Sequence, residues 1–271
     1  MNTRISIIGH GFVGSAISNY FSHHKLYIYD KYKEEYPLNI ELLMNTDYVF
    51  ICVNTPYDEE LCTYDQTALH ESFDLLNQIG YEGTVIVKST VEPNTTYNYS
   101  ILYNKLYIIY NPEFLSARTA VEDYKNQSHI VIGCPQNSQN EIRNEQTVAF
   151  FKQCFPNVTE YTICNYTEAE CIKIFCNTFY AVKIQTFNEF YLLCRKLNIN
   201  YNSVIAGMLK NKWINPMHTM VPGTDGLLSY GGACLTKDTC ALDSFCEKLN
   251  VTHDVINSTR NESKKIRYWN P

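Results

Sequence analysis

The stretch SYGGACLTKD, residues 229–238, sets a cysteine between a Gly-Gly pair and a Lys-Asp pair. Paired glycines let a chain turn tightly and let a ligand approach the backbone. A helix is predicted to begin near Thr236, which puts Cys234 close to a positive helix end and to Lys237. Both effects favour the thiolate, the nucleophilic form of cysteine. The stretch therefore predicts a reactive Cys234, with Asp238 four residues on and able to share its helix face.

Two further polar residues stand four positions apart in a 31-residue segment, residues 167–197, that lacks glycine and proline. The segment predicts one long helix, with Thr167 as its N-cap and Glu170 as the capping-box partner. Lys173 and Asn177 then share one face and can reach one ligand together. A lysine beside developing alkoxide charge is an electrostatic stabiliser, although a lone helical lysine is more often a surface residue. Cysteines among the apolar positions of this helix, such as Cys171, Cys176 and Cys194, are interpreted as packing residues.

The segment IIGHGFVG, residues 7–14, carries the spacing G-x-G-x-x-G between an apolar strand and a helix. The first glycine permits the turn, the second lets a pyrophosphate approach, and the third lets helix and strand pack closely. Asp30 ends the second strand 21 positions after Gly9. Its carboxylate can bind ribose hydroxyls, which favours NAD over NADP, although Lys31 beside it weakens the preference slightly. The predicted cofactor-binding residues here are Gly9, Gly11, Phe12, Val13, Gly14 and Asp30.

Three more candidate side chains follow predicted strands. Thr55 lies in VNTPYD, Thr90 in KSTVEPNTT and Glu113 in NPEF. Ligands bind at the carboxyl ends of strands in open α/β sheets, so both threonines are candidates to contact cofactor or water. Without further context, ordinary turn chemistry is the better explanation of both. Glu113 is either a general base or a solvated loop residue.

The elements that must position these residues divide the chain into two parts. Six nearly continuous apolar runs read as strands buried on both faces, and they alternate with helical patterns. Such alternation predicts an α/β domain with a Rossmann-like, doubly wound parallel sheet. After about residue 165 the strand signals stop, and helical patterns continue to the end. The prediction is a dinucleotide-binding domain, residues 1–165, and an all-helical domain built on one long helix, residues 166–271.

Composition excludes several classes of function. The chain has 271 residues, a net charge of -6 and no block of Lys and Arg, so a nucleic-acid partner is not predicted. No run of ~18 apolar residues predicts a membrane span. The N-terminus lacks the pattern of a signal peptide, so the prediction is a cytoplasmic protein whose eleven cysteines are thiols. Without a C-x-x-C pair, no metal site is predicted.

Taken together and in order, six motifs resemble the UDP-glucose/GDP-mannose dehydrogenase family. They are GHGFVG, VNTP, KSTVEPNTT, NPEFL with AVEDY, EAECIKIFCNTFYAVKIQTFNE, and GGACLTKD. The resemblance implies oxidation of a nucleotide-sugar primary alcohol, most simply UDP-glucose at C6, to a carboxylate with two NAD⁺. It also implies a homodimer joined along residues 167–197, where Phe175, Phe179, Tyr180, Phe187 and Phe190 are too many for one core-facing stripe.

The resemblance also implies a role for each candidate catalytic residue. Cys234 aligns with the nucleophile that forms a thiohemiacetal and then a thioester. Lys173, Asn177 and Asp238 align with the groups around the sugar C6 oxygen and the water. Glu113 aligns with a carboxylate assigned to thioester hydrolysis, and Thr90 with the threonine of the same water network.

Four departures from the family pattern are expected to affect nucleotide recognition or efficiency. The sequence ends at Pro271 with no pattern for the third, C-terminal α/β domain of the family. Ala117 stands where a second carboxylate is usual, and His129 where an arginine is usual. No arginine in KNKWINPMH matches the one that some members contribute across the dimer.

Two alternatives remain open. A β-hydroxyacid-type dehydrogenase has a similar architecture with a helix Lys and Asn, but it performs one oxidation and needs no cysteine. A dinucleotide-binding subunit without turnover is the second alternative. The number of NADH formed per sugar separates all three.

Overall fold

The computed structural model describes residues 3–267, which divide into two compact units. Of the described residues, unit 1 comprises 3–56 and 64–173, and unit 2 comprises 57–63 and 174–267. The division predicted after residue 165 coincides with the start of the long helix, whereas the chain passes from unit 1 to unit 2 inside that helix.

Unit 1 is built on a seven-stranded sheet. In chain order, the strands are β1 (Arg4–Ile8), β2 (Lys25–Tyr29), β3 (Tyr48–Ile51), β6 (Thr84–Val87), β7 (Tyr107–Tyr110), β8 (His129–Gly133) and β9 (Glu160–Cys164). Two short strands, β4 (Tyr57–Asp58) and β5 (Thr63–Tyr64), form a separate ribbon. The order across the large sheet is β2-β1-β3-β6-β7-β8-β9. β2 lies on one side of β1, whereas β3 and the later strands lie on the other side, so the strand order reverses between β1 and β3. A dinucleotide site is expected at that reversal.

The predicted fold class is confirmed, with one difference in strand direction. β2, β1, β3, β6 and β7 pair in parallel, and so do β8 and β9. β7 and β8 are antiparallel and share a single residue pair, Tyr110 with Gly133. An antiparallel β8 starts at the edge where β7 ends, so the connection between them need not recross the sheet. β9 is a further strand that was not predicted.

Helices cover both faces of the sheet, as the continuous apolar strands require. In unit 1 they are α1 (Phe12–Tyr20), α2 (Ile40–Met44), α3 (Thr67–Gln78), α4 (Thr95–Leu102), α5 (Ala120–Lys125) and α6 (Glu141–Cys154). Alternate strand residues belong to two clusters. One contains Val49, Val85 and Ile108 with α3, and the other contains Phe50 and Ile86 with α1 and α6.

The long helix α7 (Tyr166–Lys196) is confirmed and runs from unit 1 into unit 2. Its predicted capping box is wrong. The Asn165 side chain accepts the Glu168 N–H at 2.9 Å, and Glu168 accepts the Asn165 N–H at 3.0 Å, so the box lies two residues earlier. Asparagine is as good an N-cap as threonine. Thr167 and Glu170 make other contacts.

Unit 2 adds α8 (Tyr201–Met208), α9 (Ala233–Lys248) and α10 (Asp254–Ile266). Its apolar core is the cluster Phe187, Cys194, Tyr201, Ile205, Val221 and Leu228. The assignment of Cys194 to the core is therefore confirmed, and Phe187 is a core residue rather than part of an exposed stripe. No disulfide joins any cysteine in residues 3–267. Within the same residues, no helix is both long and apolar enough to cross a membrane.

Candidate active site

The glycine-rich turn after β1 has one glycine that packing within the chain does not explain. Gly9 has φ +88°, and a Cβ there would lie 2.8 Å from the Cys52 carbonyl oxygen. A Cβ on Gly14 would overlap the Gly9 carbonyl oxygen, so α1 could not pack on the turn. A Cβ on Gly11 would meet nothing within 4 Å. The space beside Gly11 is open, which fits the close approach of a ligand to the backbone.

A cavity of about 640 Å³ opens beside Gly11. Its lining comprises His10, Gly11, Phe12, Ser15, Lys33 and residues 117–122. The N-terminus of α1 has no side-chain cap and no acidic residue in its first turn, so its N–H groups can bind an anion. Phe12 is 68% exposed, whereas Val13 packs against the core of unit 1. The cavity fits the diphosphate of a dinucleotide, with Lys33 and Arg118 as cations in its wall.

Asp30 follows β2 and contacts the glycine turn directly. Its carboxylate accepts the His10 N–H at 2.7 Å and the Tyr32 N–H at 3.0 Å. Lys31, expected to weaken the preference for NAD, instead forms a 2.8 Å ion pair with Glu71. Lys33 donates to the His10 carbonyl oxygen at 2.7 Å. The carboxylate is thus fixed at the glycine turn, where it could hold a ribose hydroxyl.

The loops that follow β3 and β6 are joined by hydroxyl groups. The buried Thr55 hydroxyl donates to the Thr90 carbonyl oxygen at 2.7 Å, and the Ser89 hydroxyl donates to the Val53 carbonyl oxygen at 2.7 Å. The structure therefore brings Thr55 and Thr90 together and uses the Thr55 hydroxyl to position the Thr90 backbone.

Glu113 and Lys173 form a buried ion pair in unit 1. The Lys173 ammonium donates to Glu113 Oε1 at 3.1 Å, and the side chains are only 3% and 8% exposed. Glu113 Oε2 accepts the Leu115 N–H at 2.6 Å, which fixes the carboxylate from its other side. The Lys173 ammonium also lies 5.3 Å from the centre of the Phe114 ring. From sequence alone, Glu113 could have been a solvated loop residue and Lys173 a surface residue. The structure buries both side chains.

A second buried lysine in this region was missed by sequence reasoning. Lys88, at the end of β6, donates to Asn111 Oδ1 at 2.8 Å and to the Pro112 carbonyl oxygen at 3.3 Å. Burial lowers the pKa of Lys88 to about 8. Asn111 in turn donates to the Val131 carbonyl oxygen at 2.6 Å, across the single-pair junction of β7 and β8. The signal was available, because Lys88 is a charged residue at the carboxyl end of a buried strand.

Glu170 was assigned to the wrong contact. Its carboxylate is fully buried and accepts the N–H groups of Asn94 and Thr96, both at 2.7 Å. Asn94 is the N-cap residue of α4 but gives no side-chain cap, so Glu170 serves as the cap from α7. Burial raises the pKa of Glu170 to about 7. Glu170 lies about one turn before Lys173 on α7. Its contact therefore joins α7 to the end of the segment KSTVEPNTT, which also contains Thr90.

Cys234 is exposed and is the second residue of α9, which begins three residues earlier than predicted. Gly232 precedes the helix with φ +79°, and no side chain caps this end. The thiol-bearing residue therefore lies in the first turn of the helix, where the helix dipole favours a negative charge. Asp238 follows one turn later on the same face.

Asp238 is the centre of a buried polar group in unit 2. It is 0% exposed, and its carboxylate accepts a 2.6 Å hydrogen bond from Asn177 Nδ2 and a 2.8 Å hydrogen bond from the Lys237 ammonium. The structure therefore brings Asn177 and Asp238 together, as it does Glu113 and Lys173 in unit 1. Lys173 and Asn177 stand one turn apart along α7.

The two substituted family positions have distinct settings. Ala117 lines the cavity beside Gly11. His129 begins β8, and its Nε2 lies 2.8 Å from the Thr162 hydroxyl on β9. In residues 3–267, no cluster of three or more His, Cys, Asp or Glu side chains could hold a metal ion.

Comparison with known proteins gives two family matches that follow the order of the chain. Residues 36–153 match the NAD binding domain of the UDP-glucose/GDP-mannose dehydrogenase family, and residues 167–264 match its central domain. A UDP-glucose 6-dehydrogenase of Campylobacter jejuni is 29% identical over 227 residues, covering 84% of this chain and 55% of that protein. The chain spans about half the length of the curated relatives it matches.

Two solved structures share the fold. A UDP-glucose dehydrogenase from Pyrobaculum islandicum superposes with a TM-score of 0.80 at 22% identity, covering 98% of this chain and 69% of that one. A 3-hydroxyisobutyrate dehydrogenase from Mycobacterium tuberculosis gives 0.70 at 16% identity, covering 98% and 94%.

Proposed function

The chain belongs to the UDP-glucose/GDP-mannose dehydrogenase family, and on that premise we propose that it oxidises a nucleotide sugar at C6 from alcohol to carboxylate. The reaction consumes one water and two NAD⁺ and gives the uronic acid, two NADH and two protons. UDP-glucose is the proposed substrate, because relatives such as the Campylobacter jejuni protein are UDP-glucose 6-dehydrogenases.

NAD is the cofactor of the family domain that residues 36–153 match, and it supplies the hydride acceptor for both oxidations. The chain contributes the glycine turn, whose open side at Gly11 suits a diphosphate. Asp30, fixed by the N–H groups of His10 and Tyr32, binds the adenosine ribose. Its negative charge would repel a 2′-phosphate, so NADP should bind more weakly.

In the first oxidation, a hydride leaves C6 and the hydroxyl loses its proton. We assign Lys173 and Asn177 to the C6 oxygen, which becomes negatively charged as the proton leaves. An ammonium has three N–H donors, and Lys173 directs one of them at Glu113. Donors fixed by buried partners stabilise such charge without having to reorganise. The product of this step is an aldehyde.

In the second oxidation, Cys234 captures the aldehyde. The thiolate adds to C6 and gives the oxyanion of a thiohemiacetal, and loss of the remaining C6 hydride from this anion gives a thioester. Covalent capture keeps the aldehyde on the enzyme until the second hydride has left. The position of Cys234 in the first turn of α9 supports this role, since that end of a helix stabilises a thiolate.

Water then hydrolyses the thioester and frees the Cys234 thiol. Glu113 and Asp238 are the carboxylates that we assign to this step, with Thr90 holding the water. Both carboxylates are buried and fixed by charged or amide partners, which suits groups that must hold one water in one orientation. Ala117 stands where the family usually has a second carboxylate near the NPEFL segment. Hydrolysis of the thioester is therefore the step expected to be slow.

One observation carries the proposal: an exposed cysteine in the first turn of α9, one turn before a fully buried Asp238 that Asn177 holds. The test is an assay of NADH and sugar acid with NAD⁺ and a panel of nucleotide sugars. Two NADH per sugar are expected. Cys234→Ser should keep the first hydride step and lose the second, because a serine hydroxyl is not ionised near neutral pH. Wild-type stoichiometry and rate in Cys234→Ser would contradict the proposal.

A second candidate is a single oxidation of a small β-hydroxy acid. It is favoured by the length of the 3-hydroxyisobutyrate dehydrogenase, 94% of which the chain covers, but that likeness shows the fold alone. It leaves the GGACLTKD segment without a role. One NADH per substrate, with no dependence on Cys234, would favour this candidate, and NAD⁺ binding without turnover would favour a non-catalytic subunit.

We further propose that the enzyme is a homodimer joined along α7. Phe175, Phe179, Phe190 and Leu193 are 53%, 63%, 37% and 57% exposed, so a large apolar surface lies along one helix. Their spacing of four, eleven and three residues keeps them on one stripe. Tyr180 is half-buried and adjoins this surface. A monomer in sedimentation at micromolar concentration would contradict the proposal, and Phe179→Glu should separate the dimer.

A further inference from the structure

The segment that leads into α9 contains a residue in an unfavourable backbone conformation. Ser229 has φ +61°, the left-handed region that side chains other than glycine, asparagine and aspartate rarely adopt. It lies five residues before Cys234 and is 4% exposed. A conformation of this kind persists only where its surroundings hold it. The question is which groups hold Ser229, and what their loss would do to the thiol.

Asn188 of α7 holds the backbone of Ser229. Its Oδ1 accepts the Ser229 N–H at 2.8 Å. Its Nδ2 donates to the Ile184 carbonyl oxygen at 2.8 Å, one turn back on α7, and this second bond fixes the orientation of the amide. Asn188 is only 2% exposed, so water cannot replace it as the acceptor without a rearrangement.

The Ser229 side chain is held as well. Its hydroxyl lies 2.6 Å from Gln185 Oε1 and 2.9 Å from the Ser263 hydroxyl on α10. Both partners are buried. Residues of α7 and α10 thus fix Ser229 through its N–H and its hydroxyl at the same time.

Arg267 fixes the same segment from its other side. Its guanidinium donates to the carbonyl oxygens of Leu228 and Ser229, at 3.0 and 3.2 Å, and it pairs with Asp225. A Cβ on Gly231 would overlap this guanidinium. From Ser229 the chain continues through Tyr230 and Gly231 to Gly232, the positive-φ residue that precedes α9.

We propose that Asn188, supported by Gln185 and Ser263, is a positioning residue for Cys234. It holds Ser229 in the left-handed conformation from which the chain enters the Gly231–Gly232 turn, and that turn sets the thiol in the first turn of α9. The role rests on the proposed function of Cys234 as the nucleophile. Asn188 itself contacts no reacting atom.

The test is the pH dependence of Cys234 alkylation by iodoacetamide in the full-length protein, followed by mass spectrometry of the peptides. Exposed Cys62, also in unit 2, is the internal reference. In Asn188→Leu, the apparent pKa of Cys234 should rise by about 0.5 unit and its alkylation at pH 7 should slow by about threefold, because the thiol leaves the helix terminus. Alkylation of Cys62 should not change.

A control separates positioning from general stability. Thr178→Val, a buried site on the same helix, should leave the profile unchanged. Where Asn188→Leu does not fold, Ser229→Ala removes both hydroxyl contacts and should shift the profile in the same direction.

An unchanged Cys234 profile in folded Asn188→Leu would overturn the proposal, and so would an unchanged profile in Ser229→Ala where that variant replaces it. The alkylation assay requires no turnover. An enzyme that shows these shifts but oxidises no sugar would contradict the proposed function and leave the positioning role intact.

Discussion

Replacing Lys173 with methionine should leave the Glu113 carboxylate buried without its cation. The pair is 3.1 Å apart, and its side chains are 3% and 8% exposed. At an effective dielectric constant near 20, the attraction across this distance is about 5 kcal/mol, and removing one partner of a buried pair costs about 3–5 kcal/mol. Lys173→Met alone should therefore lower the free energy of unfolding by about 3 kcal/mol.

A double-mutant cycle isolates the interaction within the pair. Glu113→Gln removes the charge from the other partner, and the double variant should be at least as stable as Lys173→Met, because it buries no lone charge. Urea unfolding of the four proteins, followed by circular dichroism, should give a coupling free energy of about 2 kcal/mol or more.

The exposed pair of Arg4 and Asp47 is the matched control in the same unit. It is closer, at 2.8 Å, but its side chains are 47% and 40% exposed, so its coupling should stay below about 1 kcal/mol. If the Glu113–Lys173 coupling is no larger than that of Arg4 and Asp47, burial does not strengthen the pair and the reasoning is refuted.

Further predictions concern single substitutions. Burial raises the pKa of Glu170 from 4.5 to about 7, so between these pH values the folded protein keeps a proton that the unfolded chain loses. The free energy of unfolding should therefore fall by up to about 3 kcal/mol from pH 4.5 to 7. Urea unfolding should show a smaller decline in Glu170→Gln, and an equal decline would exclude Glu170 as its origin. Gly14→Ala should lower the melting temperature because its Cβ meets backbone, whereas Gly11→Ala should melt like the wild type and bind NAD⁺ more weakly in calorimetry; the reverse pattern would refute both assignments. Asp30→Ala should reduce the preference for NAD⁺ over NADP⁺ in the same titration, and equal affinities in the wild type would contradict the role of Asp30. Cys171→Ser, at a half-buried site, should change stability by about 1 kcal/mol and leave the NADH stoichiometry at two.

The strands and the long helix could be predicted because their patterns are local. The six runs that read as strands all form strands of the sheet. Five of them are buried between helices, whereas β2, at one edge, is only partly buried. The 31-residue segment without glycine or proline became α7. β9, with the sequence EYTIC, was missed because Glu160 and Thr162 interrupt its apolar residues, so it lacks the continuous apolar run of the predicted strands.

Contacts between distant residues could not be predicted in the same way. Thr167 and Glu170 have the types and spacing of a capping box, yet Asn165 and Glu168 compete for the same helix end and form it. Glu113 and Lys173 are 60 positions apart, and nothing local in either segment shows that the other will neutralise it. The cytoplasmic location and the role of each catalytic residue stay predictions.

The central claim is that Cys234 forms a covalent bond to the sugar between the two oxidations. Wild-type enzyme should be mixed with UDP-glucose and NAD⁺, quenched in acid during turnover, and digested for mass spectrometry. A thioester adduct on the Cys234 peptide is expected, in larger amount in Glu113→Gln because hydrolysis is slowed, and no adduct should appear on the Cys62 peptide. The claim would be contradicted if wild-type enzyme formed two NADH per sugar, if neither the wild type nor Glu113→Gln carried an adduct, and if Cys234→Ala kept full turnover.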